Sequence, residues 1–414
     1  MVASPPALVD IAVVGAGAAG LGAARRIAAT PLSFVVLEAR DRPGGRAHTL
    51  ISASGLPIDM GCGWLHSADE NPLVALAEAQ GLTVDRSRPP WTKQAFDLGF
   101  PPEDQAAYRE AFTAFDEKIH AAAHEPDRPA SELLPAGDRW NPLLDAFSGY
   151  YNGAPFRDIS VQDYAAYHDS GLNWRVREGY GTAVAGLAAD MPMVYGAPVT
   201  RIDRRGARLR LETPEGVVEA RAAIVTLPSA VLAAEGLKFD PPLPDKLQAA
   251  FDLPLGHGDK AFLAVEAADD LPQDSHLYGR TDTALTASFH LRPFGRPMIE
   301  AFFGGDLADD LERRPKGAFA DFAIQQLADL LGSDFRRRLT PVEESDWGTD
   351  PYTLGAYSHA RPGRRAARAI LAEAVEERLF FAGEATSPDL FSTAHGAWLT
   401  GVRAAEEAIG SLHI

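Results

Sequence analysis

A glycine-rich turn near the start of the chain constrains its fold more than any other feature. The apolar run Ile11–Val14 leads directly into Gly15-Ala16-Gly17-Ala18-Ala19-Gly20, and an alanine-rich stretch follows to about Ala29. A strand, a glycine turn and a helix in this order form the context in which a GxGxxG motif binds a dinucleotide. The glycines permit the tight turn, the approach of a pyrophosphate and close helix–strand packing, and the start of the helix attracts phosphate.

A carboxylate follows at the distance that such a site needs. Phe34–Leu37 is predicted to form the second strand, and Glu38 follows it roughly twenty residues past the glycines, where it can accept hydrogen bonds from ribose hydroxyls. A carboxylate there would repel a 2′-phosphate, which disfavours NADP. The next segment, Arg42-Pro43-Gly44-Gly45-Arg46, predicts a tight loop that brings positive charge to the phosphates. These features predict a Rossmann-like α/β fold.

Length, charge and cysteine content narrow the class of protein. The 414 residues are too many for one ordinary core and predict two domains. The net charge of −18 should repel nucleic acid and anionic membrane faces, and it gives weak support to a cationic substrate. Cys62 is the single cysteine, so no intrachain disulfide is possible. Neither a signal peptide nor a long apolar stretch is evident, which predicts a cytoplasmic protein.

Together, these motifs resemble the opening of the flavin-containing amine oxidases. That superfamily includes monoamine oxidases, polyamine oxidases, L-amino-acid oxidases and histone lysine demethylases. Further segments match in the family's order: Asp59–His66, Gly179–Thr182, Pro198–Val199 (a strand in the family), Ala223–Pro228, Leu379–Glu384 and Thr393–Ala397. The Trp64-x-His66 ending of the first segment is most similar to polyamine oxidases. The resemblance implies an FAD cofactor and an amine-oxidising enzyme.

The resemblance also implies a two-domain organisation. A discontinuous FAD-binding domain of the Rossmann type is expected over residues 8–85, 175–252 and 346–414. An α+β substrate-binding domain is expected over residues 86–174 and 253–345. In the second domain, hydrophobic periodicity predicts helices over 103–123 and 318–331. Strands are predicted over 261–265, 287–291 and 298–303, in an antiparallel sheet, and a C-terminal helix over 393–409.

The matching motifs imply which residues contact FAD. The expected set is Gly15, Gly17, Ala18, Ala19, Gly20, Glu38, Ala39, Arg40, Gly44, Gly45, Arg46, Met60, Gly61, Cys62, Gly63, Trp64, Val199, Thr226, Leu227, Pro228, Trp347, Tyr352, Gly383, Glu384, Thr393 and Ala394. Glu384 is expected to accept hydrogen bonds from a ribityl hydroxyl. The helix that begins near Thr393 would stabilise negative charge on the reduced flavin through its dipole.

Four residues are candidates for catalytic roles. Lys260 begins a predicted strand and resembles the family's lysine that bonds through a water to flavin N5; burial near the flavin would lower the pKa of its amine. Tyr357 resembles one wall of an aromatic amine-binding cage, and Thr393 stands at the second wall, where monoamine oxidases have another tyrosine. For His66 two interpretations stay open, a substrate or proton-transfer role and a buried histidine satisfied by backbone.

The predicted reaction is the oxidation of an amine to an imine by hydride transfer to flavin N5, with O2 reoxidising the flavin and giving H2O2. Monoamine oxidases hold their flavin through a cysteine at the position of Ala356, so non-covalent FAD is expected. The substrate would be a polyamine or another primary or secondary amine, without metal, nucleic-acid or membrane partners, and the enzyme could form a homodimer.

Three alternatives to this prediction stay open. An L-amino-acid oxidase would need an arginine to clamp a carboxylate, for which Arg175 and Arg292 are candidates. The others are a flavin-dependent desaturase or isomerase and a non-catalytic flavin-binding module.

Overall fold

The structure is a computed structural model that describes residues 5–92 and 94–413. Its strands are β1 Leu8–Val14, β2 Phe34–Leu37, β3 Thr49–Ile51, β4 Pro57–Asp59, β5 Val84–Asp85, β6 Arg175–Val176, β7 Met193–Val194, β8 Arg201–Asp203, β9 Leu209–Thr213, β10 Gly216–Val225, β11 Lys238–Asp240, β12 Gly258–Val265, β13 Ser275–Tyr278, β14 Ser288–Leu291, β15 Met298–Gly304, β16 Leu339–Glu344 and β17 Leu379–Phe381. Its helices are α1 Ala18–Ile27, α2 Pro72–Ala79, α3 Pro102–Ala122, α4 Asn141–Asn152, α5 Val161–Ala166, α6 Tyr180–Gly186, α7 Ser229–Ala233, α8 Pro244–Asp252, α9 Gly305–Glu312, α10 Ala318–Leu331, α11 Ala367–Ala372 and α12 Ala394–Ser411.

The first sheet is mixed and has β1 near its centre. Its order is β11-β8-β9-β10-β1-β2-β7, and β17 pairs with β10. Strand β1 runs parallel to both neighbours, with Val14 opposite Leu37 on one side and Val225 on the other. Alternate residues of β1 enter two apolar clusters, Ala12 in one and Val13 in the other, as expected for a parallel strand that is buried on both faces. The glycine turn therefore begins at the carboxyl end of a central strand.

The second sheet is antiparallel, in the order β13-β14-β15-β12-β16. Helix α10 covers the predicted range 318–331 and packs against this sheet through Phe319, Ala323 and Leu327. The predicted fold class, a Rossmann-like α/β domain interleaved with an α+β domain, is confirmed. The residue bounds of the two domains stay a prediction.

The predicted strand at Pro198–Val199 is wrong. Residues 195–200 have no regular structure, and the next strand begins only at Arg201. The N–H of Ala197 donates to the carbonyl of Glu38 at 2.9 Å, whereas that of Thr200 donates to the carbonyl of Glu212 at 2.9 Å. Because these two groups bond to different parts of the chain, one just after β2 and one in β9, no continuous ladder forms.

Candidate active site

The glycine turn leaves an open space at the start of α1. Gly15 has φ +101°, and a Cβ there would lie 2.7 Å from Thr226 Oγ1. A Cβ at Gly20 would overlap the carbonyl oxygen of Gly15. At Gly17, by contrast, no described atom other than those of its chain neighbours lies within 4 Å of the Cβ position. The first and third glycines are thus required by the protein's own packing. The second leaves room for a ligand at the N-terminus of α1, next to Ala18 and Ala19, where phosphate binds well.

Glu38 lies against this turn, as predicted. It is buried, its Oε2 accepts the N–H of Ala16 at 2.7 Å, and its Oε1 accepts the N–H of Arg40 at 2.9 Å across Ala39. Each carboxylate oxygen can accept a second hydrogen bond. The irregular segment that contains Val199 runs beside it. This carboxylate is therefore fixed in place and still able to receive ribose hydroxyls.

The basic loop, which comprises residues 40–46, also contacts the glycine turn. Its arginines already have hydrogen-bond or ion-pair partners within the protein. The N–H of Gly44 donates to the carbonyl of Ala16 at 2.8 Å, and Gly17 pairs with Gly44 as a short parallel bridge. Arg42 donates to carbonyls of its own loop, including that of Gly45. Arg40 pairs with both carboxylate oxygens of Asp350 at 2.7 Å.

Tyr352 lies beside Arg40 and is not part of the buried interior. Its side chain lies 5.2 Å from Arg40 as a cation–π pair, and the residue is 38% exposed. The structure therefore places Tyr352 with the basic loop at the protein surface.

Arg46 connects this loop to the C-terminal motif. Its Nη1 donates to Glu384 Oε1 at 3.0 Å and to the carbonyl of Ala356 at 2.6 Å. Glu384 Oε2 accepts from Ser358 Oγ at 2.6 Å and from the N–H of Ser392 at 2.9 Å. Burial raises the pKa of Glu384, but Arg46 and these hydrogen bonds bring it below its usual value. Glu384 is therefore an anion that already accepts hydrogen bonds from several protein groups. A ribityl hydroxyl would add to these hydrogen bonds.

A small cleft adjoins this ion pair. Its lining includes Arg46, Leu227, Pro228, Gly383 and Glu384. Thr226 directly precedes Leu227 in the chain. Its hydroxyl donates to the carbonyl of Val14 at 2.8 Å and so attaches the end of β10 to the glycine turn. The structure thus brings together the first, middle and last predicted motifs.

Thr393 and Ala394 define the start of α12. The Thr393 hydroxyl accepts the N–H of Gly396 at 2.9 Å and donates to the carbonyl of Leu390 at 2.7 Å. It is the N-cap of α12, so its hydroxyl oxygen is occupied in capping the start of that helix. His395 follows Ala394, and its buried Nε2 makes no hydrogen bond within the described part of the chain. Such an atom next to a helix N-terminus fits a site that a polar group completes.

The segment from Asp59 to Trp64 is held from several sides. Asp59 accepts the N–H groups of Tyr180 and Gly181 at 3.0 and 3.1 Å. Trp347 donates from Nε1 to the carbonyl of Met60 at 3.0 Å. Beyond Gly61, burial raises the pKa of Cys62 to about 12, so its thiol is unreactive. The Asp59 carboxylate attaches this segment to α6, a role that no local sequence pattern indicates.

Lys260 lies behind this segment and is the third residue of β12 rather than the first. Its Nζ donates to the carbonyl of Asp59 at 3.0 Å and pairs with Glu300 at 2.7 Å. The residue is only 6% exposed, and a Cβ on Gly63 would lie 3.3 Å from Nζ. Burial raises the pKa of Glu300, but Lys260, His290 and Arg175 bring it below its usual value. Lys260 and Glu300 therefore form an ion pair that is largely shielded from solvent.

Glu300 was not anticipated. It is the only acidic residue in the otherwise apolar strand Met298–Gly304, and a single carboxylate in such a strand is a signal that could have identified it.

Tyr357 packs against the strand that carries Lys260. Its hydroxyl donates to the carbonyl of Tyr150 at 2.6 Å, and a Cβ at Gly258 would lie 3.0 Å from that hydroxyl. Burial raises the pKa of the phenol, which therefore stays neutral. Tyr357 thus lies against Gly258, two residues before Lys260 in β12.

His66 is satisfied by a side chain and not by backbone. Its Nδ1 lies 2.6 Å from Asn173 Oδ1. Burial lowers the pKa of His66, although Asn173 and Asp169 oppose that change, so the imidazole is neutral near pH 7. Asn173 lies 107 residues along the chain, and no local pattern indicates it.

Neither a metal centre nor a membrane span is found within residues 5–92 and 94–413. No group of three or more His, Cys, Asp or Glu side chains is placed there to hold a metal ion. Over the same residues, no helix combines the length and apolar character that crossing a bilayer requires.

Comparison with known proteins identifies the family to which the chain belongs. A family model described as flavin containing amine oxidoreductase matches residues 18–409. Polyamine oxidase 2 of Arabidopsis thaliana is 31% identical, over 96% of this chain and 87% of that protein. Polyamine oxidase 5 of Oryza sativa subsp. japonica is 30% identical, over 98% of this chain and 88% of that protein.

A solved structure shares the whole fold. Wild-type putrescine oxidase bound to putrescine superposes with a TM-score of 0.79 at 22% identity, covering 98% of this chain and 100% of the other. The family model spans nearly the full length, and the glycine turn, Glu38 and the open position at Gly17 suit its flavin dinucleotide. The chain therefore belongs to the flavin-containing amine oxidoreductases and is an FAD-dependent enzyme that oxidises an amine.

Proposed function

We propose that this enzyme oxidises a polyamine or another primary or secondary amine with non-covalently bound FAD, and that O2 then accepts the electrons and gives H2O2. The observation that carries the proposal is the buried Lys260, whose Nζ lies against the backbone of Asp59 and beside Gly63, in the segment expected to contact the flavin. When bound, FAD supplies a two-electron acceptor for the hydride of the α C–H bond.

In this proposal the protein's own residues orient the amine and manage charge. Neutral His66 offers an imidazole nitrogen to an ammonium group. The Tyr357 ring forms an apolar wall held by its hydroxyl bond to Tyr150. Lys260 provides a fixed positive charge beside the reacting region and a donor for a water molecule. Thr393 contributes through α12, whose N-terminus it caps, rather than through a ring that faces the substrate.

The choice of a polyamine rests on similarity and charge. The two plant relatives at 30–31% identity are named polyamine oxidases, and the structurally similar putrescine oxidase is described with putrescine bound. The net charge of −18 would attract a polycation.

The chain offers no thiol for a covalent bond to the flavin. Cys62 is its single cysteine, and its buried thiol stays protonated. Position 356 is alanine, so non-covalent FAD is proposed. A homodimer and a cytoplasmic location stay predictions.

The L-amino-acid oxidase alternative is weaker because both candidate arginines are already engaged. Arg175 pairs with Asp85 at 3.3 Å and Asp274 at 3.0 Å. Arg292 donates to the carbonyl of Leu271 at 3.0 Å and pairs with Asp269 at 3.1 Å. A substrate carboxylate would have to displace these partners. The desaturase or isomerase and the non-catalytic module find no specific support in the site.

The proposed reaction is tested by anaerobic titration of the purified holoenzyme with amines. Spermidine or putrescine should bleach the oxidised flavin spectrum, and admitting air should restore it with release of H2O2. Denaturation and filtration should release all of the flavin. Bleaching by amino acids alone would favour the second candidate, and a flavin that no amine bleaches would refute the proposed substrate class.

The open position at Gly17 gives a separate prediction for cofactor binding. Gly17→Gln should leave the folded apoprotein intact, because the new side chain meets no protein atom near its Cβ. It should weaken FAD binding by about tenfold or more, since it fills the space expected for phosphate. Fluorescence titration of the apoprotein with FAD measures this. Gly410→Gln is the matched control, because Gly410 is also open at its Cβ position and lies at the far end of α12. Equal affinity in both variants would contradict the prediction.

A further inference from the structure

Two buried carboxyl groups meet beside the strand that carries Lys260. Asp259 is fully buried in β12, and the side chain of Glu312, at the end of α9, is only 3% exposed. The two side chains form a hydrogen bond with each other. Ionised carboxylates only accept hydrogen bonds, and two that touch in a buried site cannot both ionise. The pair therefore holds one proton.

The two oxygens of Asp259 have different surroundings. Its Oδ1 accepts a hydrogen bond from Ser345 Oγ at 2.7 Å and another from the N–H of Trp347 at 3.1 Å. Its Oδ2 is buried, and no N–H or hydroxyl group of the described residues donates to it. An oxygen that lacks a donor is a poor place for negative charge but a suitable place for a proton.

Glu312 has donors at both of its oxygens. Its Oε1 accepts from the N–H of Gly348, and its Oε2 lies 2.7 Å from His257 Nδ1. Burial raises the pKa of Glu312, but His257, Asp259 and the N–H of Gly348 bring it below its usual value. Burial and the neighbouring Glu312 raise the pKa of Asp259 well above its usual value. The proton of the pair therefore lies on Asp259 Oδ2.

The other titratable groups around the pair favour the same distribution of charge. Those that face it from the neighbouring elements are His257, Asp309, Asp346 and Tyr357. Burial lowers the pKa of His257, but Glu312 and Asp309 raise it above its usual value. This imidazole bonds to Glu312 and so supports the charge there. Lys260, the next residue of β12, points to the opposite face of the strand and pairs with Glu300.

The acid pair holds two residues that are expected near the flavin. Ser345 Oγ, which donates to Asp259, accepts the N–H of Lys260 at 2.9 Å, and the N–H of Ser345 donates to the carbonyl of Lys260 at 2.9 Å. Trp347, whose N–H donates to Asp259, contacts the carbonyl of Met60 through Nε1 at 3.0 Å. Asp259 Oδ1 thus attaches the chain after β16 to the strand and to the predicted flavin segment.

We propose that Asp259 is a protonated positioning residue, which donates from Oδ2 to Glu312 and through Oδ1 holds Trp347 in its place at the predicted flavin site. If Asp259 lost this proton, repulsion between the two carboxylates would move them apart and displace Trp347 with them. The inference goes beyond the proposed function, since it does not depend on which amine is oxidised.

The proton can be detected in the holoenzyme by infrared difference spectroscopy, because a protonated carboxyl group and a carboxylate absorb at different frequencies. At pH 7, Asp259→Asn should lose one protonated-carboxyl band relative to wild type. Asp163→Asn is the matched control, because Asp163 is just as buried but ionised against Arg368, and it should lose no such band. An unchanged band in Asp259→Asn would overturn the proposal.

The same proton makes stability depend on pH. Because folding raises the pKa of Asp259, the unfolded chain releases a proton that the folded protein keeps, and stability falls as the pH rises from the ordinary 3.8 towards the folded value. Asparagine donates an N–H to Glu312 instead and has no such proton to lose. In denaturant unfolding, the unfolding constant of wild type should rise relative to that of Asp259→Asn by about tenfold per pH unit. A ratio that does not change with pH would contradict the proposal.

FAD binding tests the positioning role. Asp259→Asn keeps an acceptor for Trp347 and a donor for Glu312, so it should bind FAD as tightly as wild type. Asp259→Val and Asp259→Ala keep neither, and fluorescence titration should show FAD affinity lower by about tenfold or more, with a changed flavin absorbance spectrum. Two variants are used because valine suits a strand and alanine cannot overlap its neighbours. Wild-type affinity in either of them would refute the positioning role.

Discussion

Lys260→Met should slow at least one half-reaction of the flavin by about a hundredfold, since one well-placed donor at a reacting centre contributes about that much. Methionine keeps the length of the side chain and removes the charge. The substitution removes the cation that lies 3.0 Å from the Asp59 carbonyl beside the predicted flavin segment. Stopped-flow absorbance measures reduction by amine without oxygen, and then reoxidation by O2.

The ion pair with Glu300 supplies the control for this prediction. Lys260→Met alone leaves a mostly buried carboxylate without its partner at 2.7 Å, which can disturb the fold by itself. Lys260→Met/Glu300→Gln removes the stranded charge and should recover thermal stability. If the ammonium acts in the reaction, the double variant stays slow. Recovery of both half-reactions in the double variant would show that Lys260 is only structural.

Arg368→Met should lower the free energy of unfolding by about 3–5 kcal/mol, because it strands a buried carboxylate. Arg368 is 2% exposed and donates to both oxygens of Asp163 at 2.7 Å. It also donates to Ser358 Oγ at 3.0 Å, and that hydroxyl donates in turn to Glu384. The loss should therefore reach the predicted cofactor site as well as the fold. Denaturant unfolding of the apoprotein and FAD titration measure the two effects.

A surface ion pair gives the matched comparison. Arg314 pairs with Asp310 one helical turn away, and both side chains are about half exposed. Arg314→Met should therefore change the free energy of unfolding by less than about 1 kcal/mol. A loss as small in Arg368→Met as in Arg314→Met would contradict the argument from burial.

The same buried pair predicts a dependence on pH. Burial alone would raise the pKa of Asp163, but Arg368 brings it below the usual 3.8. A carboxyl with a lowered pKa stabilises the fold above its ordinary pKa, and this contribution is lost as the pH falls through the folded value. Asp163→Asn should be less stable near pH 7, and its difference from wild type should shrink towards low pH.

The features that the sequence alone determined are local ones. The turn from Gly15 to Gly20 follows β1 and opens α1, and α10 has the predicted bounds, because apolar periodicity and glycine placement act over a few residues. Glu38 reaches the turn because a short βαβ unit places the end of β2 beside the end of β1. Where several such motifs occurred in one order, they also indicated the family.

Only the tertiary structure decided the partners of the charged and polar side chains. Lys260 was expected to be a desolvated amine, but β15 brings Glu300 to it, and His66 is hydrogen-bonded to Asn173, 107 residues away. Val199 was expected in a strand, yet nearby N–H groups bond to two separate parts of the chain, after β2 and in β9. Periodicity specifies the type of an element, whereas a partner depends on how distant segments cross in space. That is the physical reason why the chain's chemistry class was predictable from sequence and the partners of its candidate catalytic residues were not.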